Sequence, residues 1–178
     1  ECHTLVGENG AGKSTLMKIV SGLYHPTSGK IFFEGNEVEI KDEKQAIDMG
    51  IAIVAQELNP IPVLSVADNI FMGRYPDSAI KGFIDRKKIN EETQRLLDEF
   101  KLSFKPTTKL AKLSVSQMQM VEIIKAVNRN AKVIILDEPS SAITEKETEI
   151  LFRHIERLKE NGIAIVYISH KMDEIFEI

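Results

Sequence analysis

This chain has a single cysteine, no apolar run of membrane-spanning length and no excess of positive charge. Cys2 alone cannot close an internal disulfide and suits a reducing compartment. A spanning helix needs about 18 or more apolar residues. No run here approaches that and no signal-peptide pattern opens the sequence, so any membrane role is expected to be peripheral. A net charge of −4 implies no large cationic face and argues against coating DNA or RNA. With 43% hydrophobic and 28% charged residues, 178 residues suffice for one globular domain with a good core. The chain opens on Glu1-Cys2-His3 directly before an apolar strand and stops at Ile178 inside a helical pattern. It reads as a fragment.

The most informative stretch is Gly7-Glu8-Asn9-Gly10-Ala11-Gly12-Lys13-Ser14, which spells G-x-x-x-x-G-K-[ST]. Glycines in this spacing let backbone N–H groups turn inward around phosphate oxygens. Lys13 adds a point charge for the β- and γ-phosphates, and the Ser14 hydroxyl suits Mg²⁺. Thr4-Leu5-Val6 reads as the end of a buried strand, and Ser14 to Val20 as a helix that Gly22 stops. That order aims a helix N-terminus at an anion. The expected nucleotide contacts are Gly7, Glu8, Asn9, Gly10, Ala11, Gly12, Lys13, Ser14 and Thr15.

Further along, Ile31–Phe33 and Glu37–Ile40 flank Gly35-Asn36 as a β-hairpin. Ile51–Ala55, Val133–Leu136 and Ile163–Ile168 are continuous apolar strands of the parallel-sheet type. Between them, helices are expected after Ser65 with Asp68 as capping partner, from Arg86 to Phe100, and from Ser116 to Asn128. Thr144 and Glu147 form a capping box for a helix over Glu145–Asn161. The fold class is therefore α/β. A mostly parallel sheet would be built from residues 1–56 and 129–178, with a helical subdomain inserted at 57–128.

Ligands of open α/β sheets bind beyond the carboxyl ends of the strands, where Gln56, Asp137 and His170 all fall. Asp137 is expected to hold Mg²⁺ on the phosphates, together with Ser14 and Gln56. If the strand stays extended through Glu138, the two carboxylates point to opposite faces. Glu138 is then the candidate general base for water attacking the γ-phosphate. Gln56 could orient that water, and His170 could bond the γ-phosphate, which with Lys13 completes the candidate catalytic set. His3, His25 and His154 lack metal-ligand spacing and read as structural or exposed.

Taken together, these residues resemble the ATP-binding-cassette family, whose core is a P-loop NTPase (RecA-like) fold. Besides the phosphate loop, the resemblance rests on Gln56, Leu136-Asp137-Glu138-Pro139, Ser141-Ala142-Ile143-Thr144 and His170. Leu113-Ser114-Val115-Ser116-Gln117 is similar to the L-S-G-G-Q signature, with Val115 and Ser116 in place of both glycines. That form, with Met118-Gln119-Met120-Val121-Glu122, Glu57-Leu58 and Asp68-Asn69-Ile70, resembles the N-terminal cassette of monosaccharide importers of galactose/methyl-galactoside or ribose type.

The resemblance implies an ATPase that uses ATP and Mg²⁺ to drive sugar uptake. It would sit peripherally on the cytoplasmic side of a bacterial inner membrane. Its implied partners are a second cassette fused in the complete chain, membrane permease subunits docked near Gln56–Pro62 and the helical lobe, and indirectly a periplasmic sugar-binding protein, with no nucleic acid. Lys13, Ser14, Asp137, Glu138 and His170 would form the hydrolytically competent site, while Ser114 and Gln117 would cover the weaker one. A soluble ABC-type ATPase of translation or DNA repair is the alternative, disfavoured by the acidic balance. A module that binds nucleotide without turnover in isolation is a third reading.

Overall fold

The computed structural model describes residues 1–8, 10–56, 60–76 and 83–178. In chain order the first elements are β1 (Cys2–Val6), α1 (Lys13–Val20), β2 (Ile31–Phe33), β3 (Asn36–Val38), α2 (Glu43–Met49) and β4 (Ile51–Val54). Three helices follow, α3 (Val66–Phe71), α4 (Arg86–Glu99) and α5 (Val115–Asn128). The chain then adds β5 (Val133–Asp137), α6 (Glu145–Glu160), β6 (Ala164–Ser169) and α7 (Met172–Glu177). Two compact units result, Glu1–Gln56 with Arg129–Ile178, and Glu57–Asn128.

The first unit is built on a four-stranded parallel sheet in the order β1-β6-β5-β4. Ile134, Ile135 and Leu136 of β5 and Ile165, Tyr167 and Ile168 of β6 are fully buried, as strands covered on both faces require. Successive side chains of β6 serve opposite faces. Ile168 joins Met17, Ile40, Ala46, Ile51 and Ile135 in one cluster with α1 and α2. Tyr167 instead meets Phe152 of α6 edge-on, with ring centroids 5.9 Å apart.

β1 departs from its expected burial. It pairs with β6 only among the described strands, and Thr4 and Val6, which share one face, are exposed.

Local chemistry sets the helix ends. The α6 capping box is complete: Glu147 N–H donates to Thr144 Oγ1, and Thr144 N–H donates to Glu147 Oε2 at 2.9 Å. At the end of α1, Gly22 (φ 76) is left-handed. The Gly22 and Leu23 N–H groups return to the Ile19 and Lys18 carbonyls, at 3.1 and 2.8 Å. The hairpin turns one residue earlier than expected. Glu34 (φ 51) and Gly35 (φ 79) supply the two positive φ angles of a type I′ turn, and Asn36 pairs with Phe33.

In the second unit, the Ser65 hydroxyl caps α3 by accepting from Asp68 N–H at 3.1 Å. Burial pushes the Asp68 carboxyl up, but bonds from Ser65 and Arg86 outweigh it and hold the group below its ordinary value. Ile89, Leu96, Leu97 and Phe100 are buried along α4. Helix α5 starts at Val115, one residue before the expected Ser116. The reason is a second reciprocal cap: Gln117 N–H donates to Ser114 Oγ at 3.3 Å, and Ser114 N–H to Gln117 Oε1 at 3.0 Å.

A Cβ on Gly22 would collide with the Asp42 carbonyl, in a backbone region that already costs an L-residue about 1–2 kcal/mol. Gly22→Ala is therefore expected to lower unfolding free energy by at least about 2 kcal/mol in urea titration. Wild-type stability would refute this geometry.

Candidate functional site

Strand register places the site. Val6 lies opposite Ser169, Asp137 opposite Ile168, and Leu136 opposite both Tyr167 and Val54. Four parallel strands thus end at nearly one level, and the segments beginning at Gly7, Gln56, Glu138 and His170 leave from the same rim.

Ahead of α1, the Ala11 N–H donates to the Glu8 carbonyl at 3.1 Å. Gly10 (φ 86) and Gly12 (φ 92) are left-handed, and a Cβ on Gly7 would lie 3.3 Å from that of Ala11. Gly12 is the N-cap of α1 and brings no side chain to the first turn's N–H groups. Those donors remain for an anion. Lys13 Nζ curls over the loop, donating to the Gly7 and Glu8 carbonyls at 2.6 and 3.0 Å. Thr15 is exposed at the start of α1. Asn9 lies outside the described residues, as do Glu57, Leu58 and Asn59.

Ser14 Oγ lies 3.5 Å from Oδ1 of the buried Asp137. The pair offers two hard oxygens, one of them anionic. Among the described residues no three His, Cys, Asp or Glu side chains assemble into a metal cluster. So sparse a donor set suits Mg²⁺, which keeps waters and shares phosphate oxygens rather than entering an all-protein cage.

Glu138 corrects one expectation. The extended geometry ends at Asp137, and Glu138 takes a left-handed φ of 47. Its N–H continues onto the Ile168 carbonyl at 3.0 Å, and its own carbonyl accepts from Ser141 N–H at 3.1 Å. A turn, not strand alternation, therefore aims the carboxylate. Gln56 Nε2 donates to Glu138 Oε2 at 3.3 Å, and His170 Nδ1 lies 3.1 Å from Oε1. Each carboxylate oxygen carries one such bond and keeps a lone pair. The structure thus brings Gln56, Glu138 and His170 into one chain of contacts, and joins Asp137 to Ser14.

The remaining histidines lie elsewhere. His3 and His25 are exposed. His154 is buried in α6, where burial and the nearby Arg157 and Arg153 push it down to about 4. Sequence reasoning passed over Glu174 of α7, which lies against the residues flanking His170. Its only sequence signal is a polar Tyr167 and Ser169 alternating with Ile168 in an apolar strand.

The sequence profile of the ABC transporter family matches residues 1–141. The galactose/methyl galactoside import ATP-binding protein of Clostridium perfringens is 52% identical over 99% of this chain and 34% of its own length. Its Yersinia pestis counterpart is 51% identical, with the same coverage. This chain thus spans about a third of the length of the curated relatives it matches. Among solved structures, a nucleotide-free ATP-binding cassette from an ABC transporter matches with a TM-score of 0.85 at 27% identity, over 99% of this chain and 73% of that one. An ATP-binding cassette in its ADP conformation gives 0.84 at 28%, with the same coverage.

The Glu138 backbone yields a direct test. Glu138→Gly and Glu138→Ala both lose the carboxylate, so their comparison isolates the left-handed turn. The glycine variant is expected to be more stable than the alanine variant by about 1 kcal/mol in chemical denaturation. Equal stabilities would place residue 138 in ordinary extended backbone.

Proposed function

The chain belongs to the ABC transporter family, and from that premise we propose that it is the ATP-binding and hydrolysing cassette of a bacterial importer for galactose or methyl galactoside. In this reading Glu1–Gln56 with Arg129–Ile178 is the ATP-binding core and Glu57–Asn128 the helical subdomain. The triphosphate lies on the loop N–H groups and the α1 N-terminus, with Lys13 on the β- and γ-phosphates. Ser14, Asp137 and the Gln56 amide oxygen would hold Mg²⁺, which when bound would neutralise charge on the phosphate oxygens. Glu138 takes a proton from water as the water oxygen bonds to the γ-phosphorus. The bond from that phosphorus to the bridging oxygen breaks, leaving ADP and inorganic phosphate. Gln56 and His170 hold the carboxylate in place, and the second nitrogen of His170 serves the γ-phosphate.

The observation that carries this reading is the grip of Gln56 and His170 on opposite oxygens of Glu138, at 3.3 and 3.1 Å. General-base catalysis depends on that sort of placement. The sugar is supported by the relatives named for galactose/methyl galactoside import, 51–52% identical to this chain. Such a cassette would work with a second cassette, membrane permease subunits and a periplasmic sugar receptor. It would act at the cytoplasmic face of the membrane as a peripheral subunit. Among the described residues no helix is long and apolar enough to cross a bilayer. Transport requires ATP to bind the closed arrangement of cassettes more tightly than the open one.

In the full-length protein, Glu138→Gln is expected to bind ATP with wild-type affinity while turnover falls about 10²–10⁴-fold. Undiminished turnover would remove Glu138 as the base. In vesicles carrying the membrane subunits and receptor, galactose is expected to stimulate ATP hydrolysis. Stimulation by ribose alone would reassign the sugar.

A further inference from the structure

Helix α7 starts two residues after His170, and its Glu174 is a buried carboxylate that the proposed chemistry does not use. Glu174 Oε2 accepts from Tyr167 Oη at 2.8 Å and from Ser169 Oγ at 2.9 Å. Oε1 lies 3.1 Å from Lys171 Nζ. The same Lys171 Nζ also donates to the Ser140 hydroxyl at 3.4 Å. Three donors thus converge on one carboxylate. Tyr167, Ser169 and Ser140 are themselves buried. Burial pushes the Glu174 carboxyl up, but the hydroxyl and ammonium groups around it, those of Ser140, Tyr167, Lys171 and Ser169, outweigh it and hold the group below its ordinary value.

The placement of these partners matters more than their number. Ser169 and Lys171 are the two residues flanking His170, and Ser169 Oγ also accepts from Lys171 N–H at 3.0 Å. Ser140 stands two residues beyond Glu138, and Lys171 Nζ reaches its carbonyl at 3.4 Å. One carboxylate therefore ties the turn that carries Glu138 to the turn that carries His170. Packing alone would not call for an ion here, since apolar side chains often replace buried ionic networks without loss of stability. What an apolar side chain cannot supply is fixed direction at both turns.

We propose that Glu174 is a positioning residue that sets the separation of Glu138 and His170 through Ser140, Ser169 and Lys171. The inference rests on the reading that Glu138 and His170 act in ATP hydrolysis.

In the full-length protein, Glu174→Ala is expected to lower kcat about 10- to 100-fold, the scale on which a misplacement of about 1 Å acts on a reacting group. KM for ATP should stay within about threefold, because the phosphate loop is untouched. Glu174→Gln keeps an acceptor for Tyr167 and Ser169 but turns its NH₂ toward Lys171, and is expected to recover part of kcat. Added to His170→Ala, Glu174→Ala should cost little more, since groups acting as a unit are not additive. If Glu174→Ala does not fold, Tyr167→Phe removes one donor without loss of packing and should lower kcat in the same direction.

The proposal is overturned by wild-type kcat in the folded alanine variant, or in Tyr167→Phe where alanine does not fold. It is also overturned if Glu174→Ala shows its full loss on the His170→Ala background, or if Glu174→Gln is as impaired as Glu174→Ala. Turnover insensitive to Glu138→Gln overturns the hydrolytic reading and this inference with it. Loss in Glu138→Gln with normal Glu174→Ala overturns this inference alone.

Discussion

Parallel pairing of β6 with β1 on one side and β5 on the other sets Val6 opposite Ser169 and Ile168 opposite Asp137. Segments more than a hundred residues apart in sequence thereby leave the sheet side by side. A slip of one residue in either pairing would move a strand end by about 3.3 Å and turn its side chains to the other face. His170 would then leave Glu138, and Asp137 would leave Ser14. What prevents the slip is far from the chemistry. Ile168 and Ile135 fill the cluster with α1 and α2, while Tyr167 packs on Phe152 of α6. The core holds the register, and the register holds the site.

On that frame, the rim residues depart from regular geometry where chemistry is proposed. Gly10 and Gly12 take positive φ angles at no steric cost. Glu138 takes one as a non-glycine, which costs about 1–3 kcal/mol and persists only where surrounding bonds over-determine it. Those bonds are present: the Glu138 N–H on Ile168, its carbonyl on Ser141, and its carboxylate between Gln56 and His170. Strain at one residue is thus offset by four neighbours drawn from three segments.

Much of this was legible in the amino-acid order because its signals are local. The glycine spacing of residues 7–14, the Thr144 and Glu147 box and the apolar runs of β5 and β6 each encode their geometry within a few residues. Asp137, Gln56 and His170 could be placed at strand ends because a continuous apolar run shows where a strand stops. What escaped depends on partners distant in sequence. Nothing around Glu138 announces a left-handed turn, since the Ile168 carbonyl that receives its N–H lies thirty residues on. Glu174 looks like one more acidic helix residue until folding sets Tyr167, Ser169 and Ser140 around it. The Ser114 and Gln117 cap is local too, an S-x-x-Q pattern that starts α5 one residue before Ser116.

The two bonds from Lys13 to the Gly7 and Glu8 carbonyls carry a consequence for selectivity. Two of the three N–H donors of the ammonium are taken by its own loop, so an anion that engages the whole group must replace two good acceptors. A polyphosphate, presenting several anionic oxygens along the length of the loop, makes the exchange favourable by touching the backbone N–H groups in the same event. In the proposed reading, the lysine would therefore favour a ligand of high charge density over dilute monovalent ions.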